Sequence, residues 1–202
     1  MADVLATNRP IVAILRGLQP DRAVAVGEAL HRAGIRIIEV PLNSPDPFAS
    51  IAALAASRGS DCLIGAGTVL TADDVTRTHQ AGGRLVVSPS CDVEVIRRSI
   101  ALGLNVMPGI ATPTEAFTAI GAGASNLKLF PASVLGIAFL RAIREVLPQS
   151  VRVFPVGGIG AGELREWIDA GAAGFGIGSQ LFRPEFSTEE IEARARALLR
   201  QL

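Results

Sequence analysis

The sequence contains no tyrosine, one tryptophan and eight phenylalanines among 202 residues. Any interior must therefore be filled by Ile, Val, Leu and Ala, and at this length one domain can bury a sizeable core. An excess of charge is lacking too. Nineteen Lys and Arg against nineteen Asp and Glu give a formal net charge of zero, which argues against the basic face of a nucleic-acid binder but leaves room for a small anion. No apolar run approaches the length of a membrane span, so no membrane association is expected. The two cysteines, Cys62 and Cys91, have no metal-type spacing and read as reduced thiols of a cytoplasmic protein. The opening MADVLATNRP lacks a basic stretch followed by an apolar one, so no secretory signal is expected. His31 and His79 fall in helical patterns without companions and read as surface residues rather than metal ligands.

Scarcest of all is lysine. Lys128, in NLKLFPAS, is the only one, and the other 18 cationic residues are arginines. Genomic base composition explains why surface lysines are exchanged for arginine, but not why one survives inside an apolar run. A guanidinium stays charged, whereas an amine can lose its proton and attack a carbonyl. The competing reading is a stray lysine paired with a carboxylate.

Short β-branched runs recur along the chain: IVAILRG (Ile11–Gly17), IRIIEVP (Ile35–Pro41), CLIGAGTV (Cys62–Val69), RLVVSPS (Arg84–Ser90), NVMPGIA (Asn105–Ala111), NLKLFPA (Asn126–Ala132), RVFPVGGI (Arg152–Ile159) and AGFGIGS (Ala173–Ser179). Most are nearly continuous in apolar character, as strands covered on both faces should be. Helical patterns lie between them. PDRAVAVGEALHRAG, TADDVTRTHQAGG, DVEVIRRSIALG, TPTEAFTAIGAG and AGELREWIDAG all stop at glycines, the usual left-handed helix terminator. Eight strands with intervening helices predict an α/β fold, a (β/α)8 TIM barrel forming a single domain over 1–202. The alternative is an open doubly wound sheet, but no G-x-G-x-x-G opens the first helix. A final helix over 187–202 carries a capping box, Ser187 with Glu190, and a stripe of Ile191, Ala195, Leu198, Leu199 and Leu202 that should pack on the barrel's outside.

Barrel chemistry sits where strands end. The first run ends in Arg16, which by period two shares a face with Val12 and Ile14; it reads as a fork for carboxylate or phosphate, or as an arginine reaching solvent. The second carries Glu39, on a face with Ile35 and Ile37, and a buried carboxylate is costly unless paired or used. Its expected partners are Lys128 and Arg16. The third ends GAGT, where glycines let a ligand approach and Thr68 can donate a hydrogen bond. In the sixth, Leu127 and Leu129 should face the helices and Lys128 the interior, where burial and Arg16 would depress its pKa. The seventh and eighth end in glycines, and Gly157, Gly158, Gly178 and Ser179 suit a phosphate cradle. An amine, a carboxylate, a cationic fork and a phosphate cradle together support imine formation with a phosphorylated keto compound, without metal or other cofactor.

The motifs AILRG, IIEVPLNSP, IGAGTV, LKLFPAS, FPVGGI and GIGSQLF, in this order from about Pro10 to Arg183, resemble the 2-keto-3-deoxy-6-phosphosugar aldolases. The resemblance implies a class I aldolase on a homotrimeric (β/α)8 barrel. It makes Lys128 the Schiff-base lysine and Glu39 the general acid/base, with Arg16 and Thr68 at the keto-acid end and Gly157, Gly158, Gly178 and Ser179 at the phosphate. Two positions depart from the phosphogluconate-type pattern. Asn43 stands where those enzymes usually carry arginine, and Val156 where they usually carry threonine. Both departures look like the phosphogalactonate branch, whose members cleave 2-dehydro-3-deoxy-6-phosphogalactonate to pyruvate and glyceraldehyde 3-phosphate. A threonine hydroxyl facing C4 could select an epimer that Val156 would not. The other branch, or an enzyme taking both epimers, is the nearest alternative. More distant ones are an isomerase or synthase in which Lys128 acts only electrostatically, and a non-catalytic sugar-phosphate binder.

Overall fold

Alternation along the strands sorts the aliphatic residues into two shells. In the computed structural model, which describes Leu5 and residues 10–202, Leu5, Val12, Ile37, Leu63, Leu85, Val87, Met107 and Phe154 form an inner cluster. Their strand neighbours Ala13, Ile38, Ile64, Val86, Leu127, Leu129 and Val153 belong to a larger outer cluster shared with the helices. Apart from Leu5 and Pro10, the opening segment read above for a secretory signal lies outside the described residues.

The strands are β1 (Ile11–Ile14), β2 (Ile37–Pro41), β3 (Leu63–Gly67), β4 (Leu85–Val87), β5 (Asn105–Met107), β6 (Gly109–Ile110), β7 (Asn126–Leu129), β8 (Arg152–Pro155) and β9 (Phe175–Ile177). All their pairings are parallel. They form a six-stranded sheet ordered β5-β4-β3-β2-β1-β9 and a three-stranded sheet β6-β7-β8. The run Asn105–Ala111 thus splits where one strand is expected. Pro108 has no N–H to give to a ladder, and its carbonyl accepts the Lys128 N–H at 2.8 Å. On the other side the sheets meet through a Val156–Gly176 bridge and a bond from Ala173 N–H to Val153 O at 2.9 Å.

The result is an α/β fold whose curled parallel sheets carry, among the described residues, eight α-helices: α1 (Ala23–Ala33), α2 (Pro47–Arg58), α3 (Ala72–Gln80), α4 (Val93–Ala101), α5 (Pro113–Gly121), α6 (Ala132–Val146), α7 (Leu164–Asp169) and α8 (Thr188–Leu199). All five glycine-terminated patterns end in the left-handed region, at Gly34, Gly82, Gly103, Gly123 and Gly171. The patterns quoted above did not single out α2 and α6, the second of which breaks at Gly136. Strand β2 also starts two residues later than its apolar run. Ile35 N–H bonds back to Leu30 O at 3.0 Å to close α1, and its side chain joins the outer cluster. Glu39 therefore shares its face with Ile37 but not with Ile35. Helix α8 starts where Ser187 Oγ accepts from Glu190 N–H, and it buries Ile191, Ala195 and Leu198 alongside α1.

Candidate active site

Because the strands run parallel, the residues at or just past their C-terminal ends converge. They enclose a cavity of about 280 Å³. Arg16 follows β1, Glu39 lies within β2, Thr68 follows β3, and Pro89 follows β4. Lys128 comes from β7 with Phe130 just beyond, Val156, Gly157 and Gly158 follow β8, and Gly178, Ser179 and Gln180 follow β9. Nine of the ten candidate residues therefore line one space. Asn43 does not line it, but its Oδ1 accepts a hydrogen bond from Arg16 Nη1 at 2.6 Å.

Glu39 is 2% exposed. Burial pushes its carboxyl from the ordinary 4.5 up to about 7, against the opposing pull of the Lys128 and Arg16 charges. Its Oε2 has no hydrogen-bond partner among the described residues. The carboxylate occupies the space beside Gly67, where a built Cβ would collide with both oxygens and the carboxyl carbon. The second glycine of GAGT thus makes room for this protein's own acid, a use that the sequence reading, which gave these glycines to a ligand, did not include.

Lys128 is 7% exposed. Burial lowers its pKa and Arg16 adds to that, while Glu39 raises it. Its Nζ lies 4.7 Å from the centroid of the Phe130 ring, which offers a cation some compensation for lost water. Leu127 and Leu129 point outward as expected.

Thr68 adopts φ 56, a left-handed conformation that a β-branched residue takes up at a cost of about 1–3 kcal/mol and that clusters at functional sites. Gly157 and Gly158 have φ 97 and 73. A Cβ at Gly158 would fall on Ser133 Oγ. This segment is sewn to the start of α6: Ala132 N–H donates to Val156 O at 2.9 Å and Ser133 N–H to Gly157 O at 3.0 Å. Beyond β9, Leu181 and Phe182 N–H both bond Gly178 O. Gly178 thereby opens a helical turn whose leading N–H groups belong to Ser179 and Gln180, donors of the kind that hold anions. Gln180 Nε2 also donates to Ile159 O at 2.8 Å, joining the two glycine loops. Gly176 lacks the Cβ that would strike Val156, so the valine side chain reaches the cavity.

The sequence reading missed Phe130, Gln180 and the relation of Gly67 to Glu39. Phe130 could have been found, since period two puts it on the face of Lys128. The Gly67–Glu39 approach and Gln180 carry no local signal. His31 is half-buried with Nε2 3.8 Å from Asp61 Oδ2, and His79 is exposed. Among the described residues no group of three His, Cys, Asp or Glu could hold a metal ion, and no helix is long and apolar enough to cross a membrane.

A buried amine beside a buried acid, with a loop suited to an anion, fits imine chemistry on a phosphorylated keto compound. The chain is 48% identical over 192 residues to the probable 2-dehydro-3-deoxy-6-phosphogalactonate aldolase of Rhizobium meliloti (strain 1021), covering 95% of this chain and 91% of that one. It is 46% identical over 194 residues to the 2-dehydro-3-deoxy-6-phosphogalactonate aldolase of Escherichia coli (strain K12), covering 96% and 95%. A solved structure described as native KDPGal superposes with a TM-score of 0.94 at 46% identity, covering 96% of this chain and 95% of that chain. Residues 2–196 match the family model for KDPG and KHG aldolases, and the chain belongs to that family.

Proposed function

We propose that this protein is a class I aldolase that cleaves 2-dehydro-3-deoxy-6-phosphogalactonate to pyruvate and glyceraldehyde 3-phosphate. The observation that carries this reading is the convergence of Lys128 and Glu39, both buried, on one cavity at the strand ends. The names of the two relatives supply the branch.

The chemistry follows from the two groups. The free amine of Lys128 adds to the C2 carbonyl, and Glu39 in its acid form protonates the oxygen to give a carbinolamine. Water leaves and an iminium forms. The Glu39 carboxylate then takes the C4 hydroxyl proton, the C3–C4 bond breaks, and its electrons move into the iminium. Glyceraldehyde 3-phosphate departs, leaving an enamine. Protonation at C3 and addition of water at C2 release pyruvate and restore the amine. A carboxyl that titrates at about 7 can act in both directions at neutral pH.

In this reading Arg16 and Thr68 hold the keto-acid carboxylate. Gly157, Gly158, Gly178 and Ser179 hold the phosphate, largely through backbone N–H groups. Val156 presents an apolar face where C4 lies, and Asn43 enters through its bond to Arg16. No cofactor is called for. The two sheets are taken as one eight-stranded barrel, with β5 and β6 a single strand bent at Pro108; the Val156–Gly176 bridge supports closure. Residues 1–202 are taken as one domain, working in the cytoplasm as a homotrimer.

The decisive experiment is incubation with pyruvate and borohydride, followed by peptide mapping. A reduced adduct on Lys128 is expected. Its absence, or an adduct on another group, excludes the imine mechanism.

A further inference from the structure

Arg16 is exposed. A long side chain at a cavity mouth samples many rotamers unless something holds it. Its Nη1 donates to Asn43 Oδ1 at 2.6 Å, a short charge-assisted bond. Asn43 is itself exposed and stands outside the cavity lining.

The loop that carries Asn43 is pinned around it. Leu42 N–H donates to Gly67 O at 2.8 Å and Ser44 N–H to Pro41 O at 2.9 Å. Ser44, which is buried, accepts from Gly17 N–H at 3.0 Å through its Oγ. That last bond ties the loop to the residue after Arg16. Asn43 is therefore an acceptor held in place for an exposed guanidinium. Its chemistry also matters. An aspartate here could hold the fork equally well but would cancel its charge, whereas an amide leaves the cation and its remaining N–H donors available to an anion.

We propose that Asn43 is a positioning residue, which acts through Arg16 to aim the guanidinium at the carboxylate of the keto acid and does not itself touch substrate. The proposal rests on the aldolase reading and assigns Asn43 its part in it: the amide recruits Arg16 to the carboxylate work.

The test isolates the keto-acid end. Pyruvate alone, without phosphate or C4, exchanges its methyl protons for deuterium through the enamine, and NMR reads the rate. Asn43→Ala should raise the pyruvate concentration for half-maximal exchange about tenfold, the loss expected for a charge-assisted hydrogen bond. The maximal rate should stay within about threefold, because Lys128 and Glu39 are untouched. In an Arg16→Ala background the same substitution should change neither quantity, since the two residues act as a unit. A tenfold effect that persists without Arg16 overturns the proposal, as does an unchanged half-saturation in the wild-type background. Wild-type protein that exchanges no pyruvate protons overturns the aldolase reading itself, and this proposal with it.

Discussion

Replacing Gly67 by alanine should remove most catalysis and leave the chain folded. The new Cβ would land on both oxygens and the carboxyl carbon of Glu39. A relaxed carbon–oxygen contact needs about 3.4 Å, so the carboxyl group must retreat by at least roughly 1 Å. It can do so. The colliding atoms are the free end of a rotatable side chain, and Gly67 is not among the residues in the left-handed region. A displacement of about 1 Å can lower a rate about 100-fold, and complete loss of a general acid/base lowers it by about 10²–10⁴. The expected kcat is therefore down by at least about two orders of magnitude. The pyruvate adduct on Lys128 should still form under borohydride, more slowly, because the amine has not moved. Gly65→Ala is the control. It lies on the same face of β3, but there the Cβ would run into the Leu85 carbonyl and the backbone around it. That variant should lose thermal stability, which Gly67→Ala should largely keep. If Gly67→Ala turns over within threefold of wild type, the carboxylate is not fixed by this close approach, or catalysis does not depend on where it sits.

Glu39 titrates at about 7 in the folded protein against an ordinary 4.5, so between those values the folded state binds the extra proton. The stability this contributes is complete below about 4.5 and lost as pH rises through about 7, a change of about 3 kcal/mol. Denaturant unfolding at pH 5 and pH 8 should show that loss in wild type and not in Glu39→Gln; equal losses would refute the assignment. The kcat/KM of wild type should fall as pH rises through about 7 and the acid form that begins the reaction is lost, and a residual activity of Glu39→Gln that keeps this limb would assign it to another group. Val156→Thr adds a hydroxyl at nearly constant volume to a buried side chain that faces the cavity. It should shift the ratio of kcat/KM for the two C4 epimers toward the gluconate form by about tenfold or more, and an unchanged ratio would remove Val156 from epimer choice.

What could be read in the sequence depended on whether the signal was local. Left-handed glycines ended every helix that had been marked by one, because a helix terminates within a turn of its own chain. Lys128 and Glu39 were legible as a chemical anomaly, a charge of each sign in apolar runs, and strand alternation was enough to aim both inward. Long-range fit was not legible. Gly67 looks like any strand glycine until the register that sets β2 beside β3, with Glu39 opposite Gly65, is known. The Arg16–Asn43 bond spans 27 residues and depends on a loop closed by Ser44. Pro108, visible in the sequence, divides a strand because the missing donor acts in the ladder, and ladders become apparent only once partners are assigned.

The relation between Lys128 and Glu39 explains why both are buried. A tight ion pair would hold the amine protonated and the acid ionised, the two forms that cannot begin the reaction. Here Glu39 Oε2 has no hydrogen-bond partner among the described residues, and each group feels the other mainly as charge. For both, burial is the largest influence: it raises the acid and lowers the amine. Desolvation thus drives the pair from opposite ends toward the neutral forms, a free amine and a protonated carboxyl. In the proposed mechanism those are the nucleophile and the proton donor that carbinolamine formation requires. Arg16 tunes the pair from the cavity mouth, since its charge lowers both groups together. The amine gains readiness to attack, and the acid is kept from climbing so high that it could no longer act as a base. An arginine set at that mouth by a neutral amide can do this and still bind a carboxylate, whereas one neutralised by a neighbouring acid could do neither.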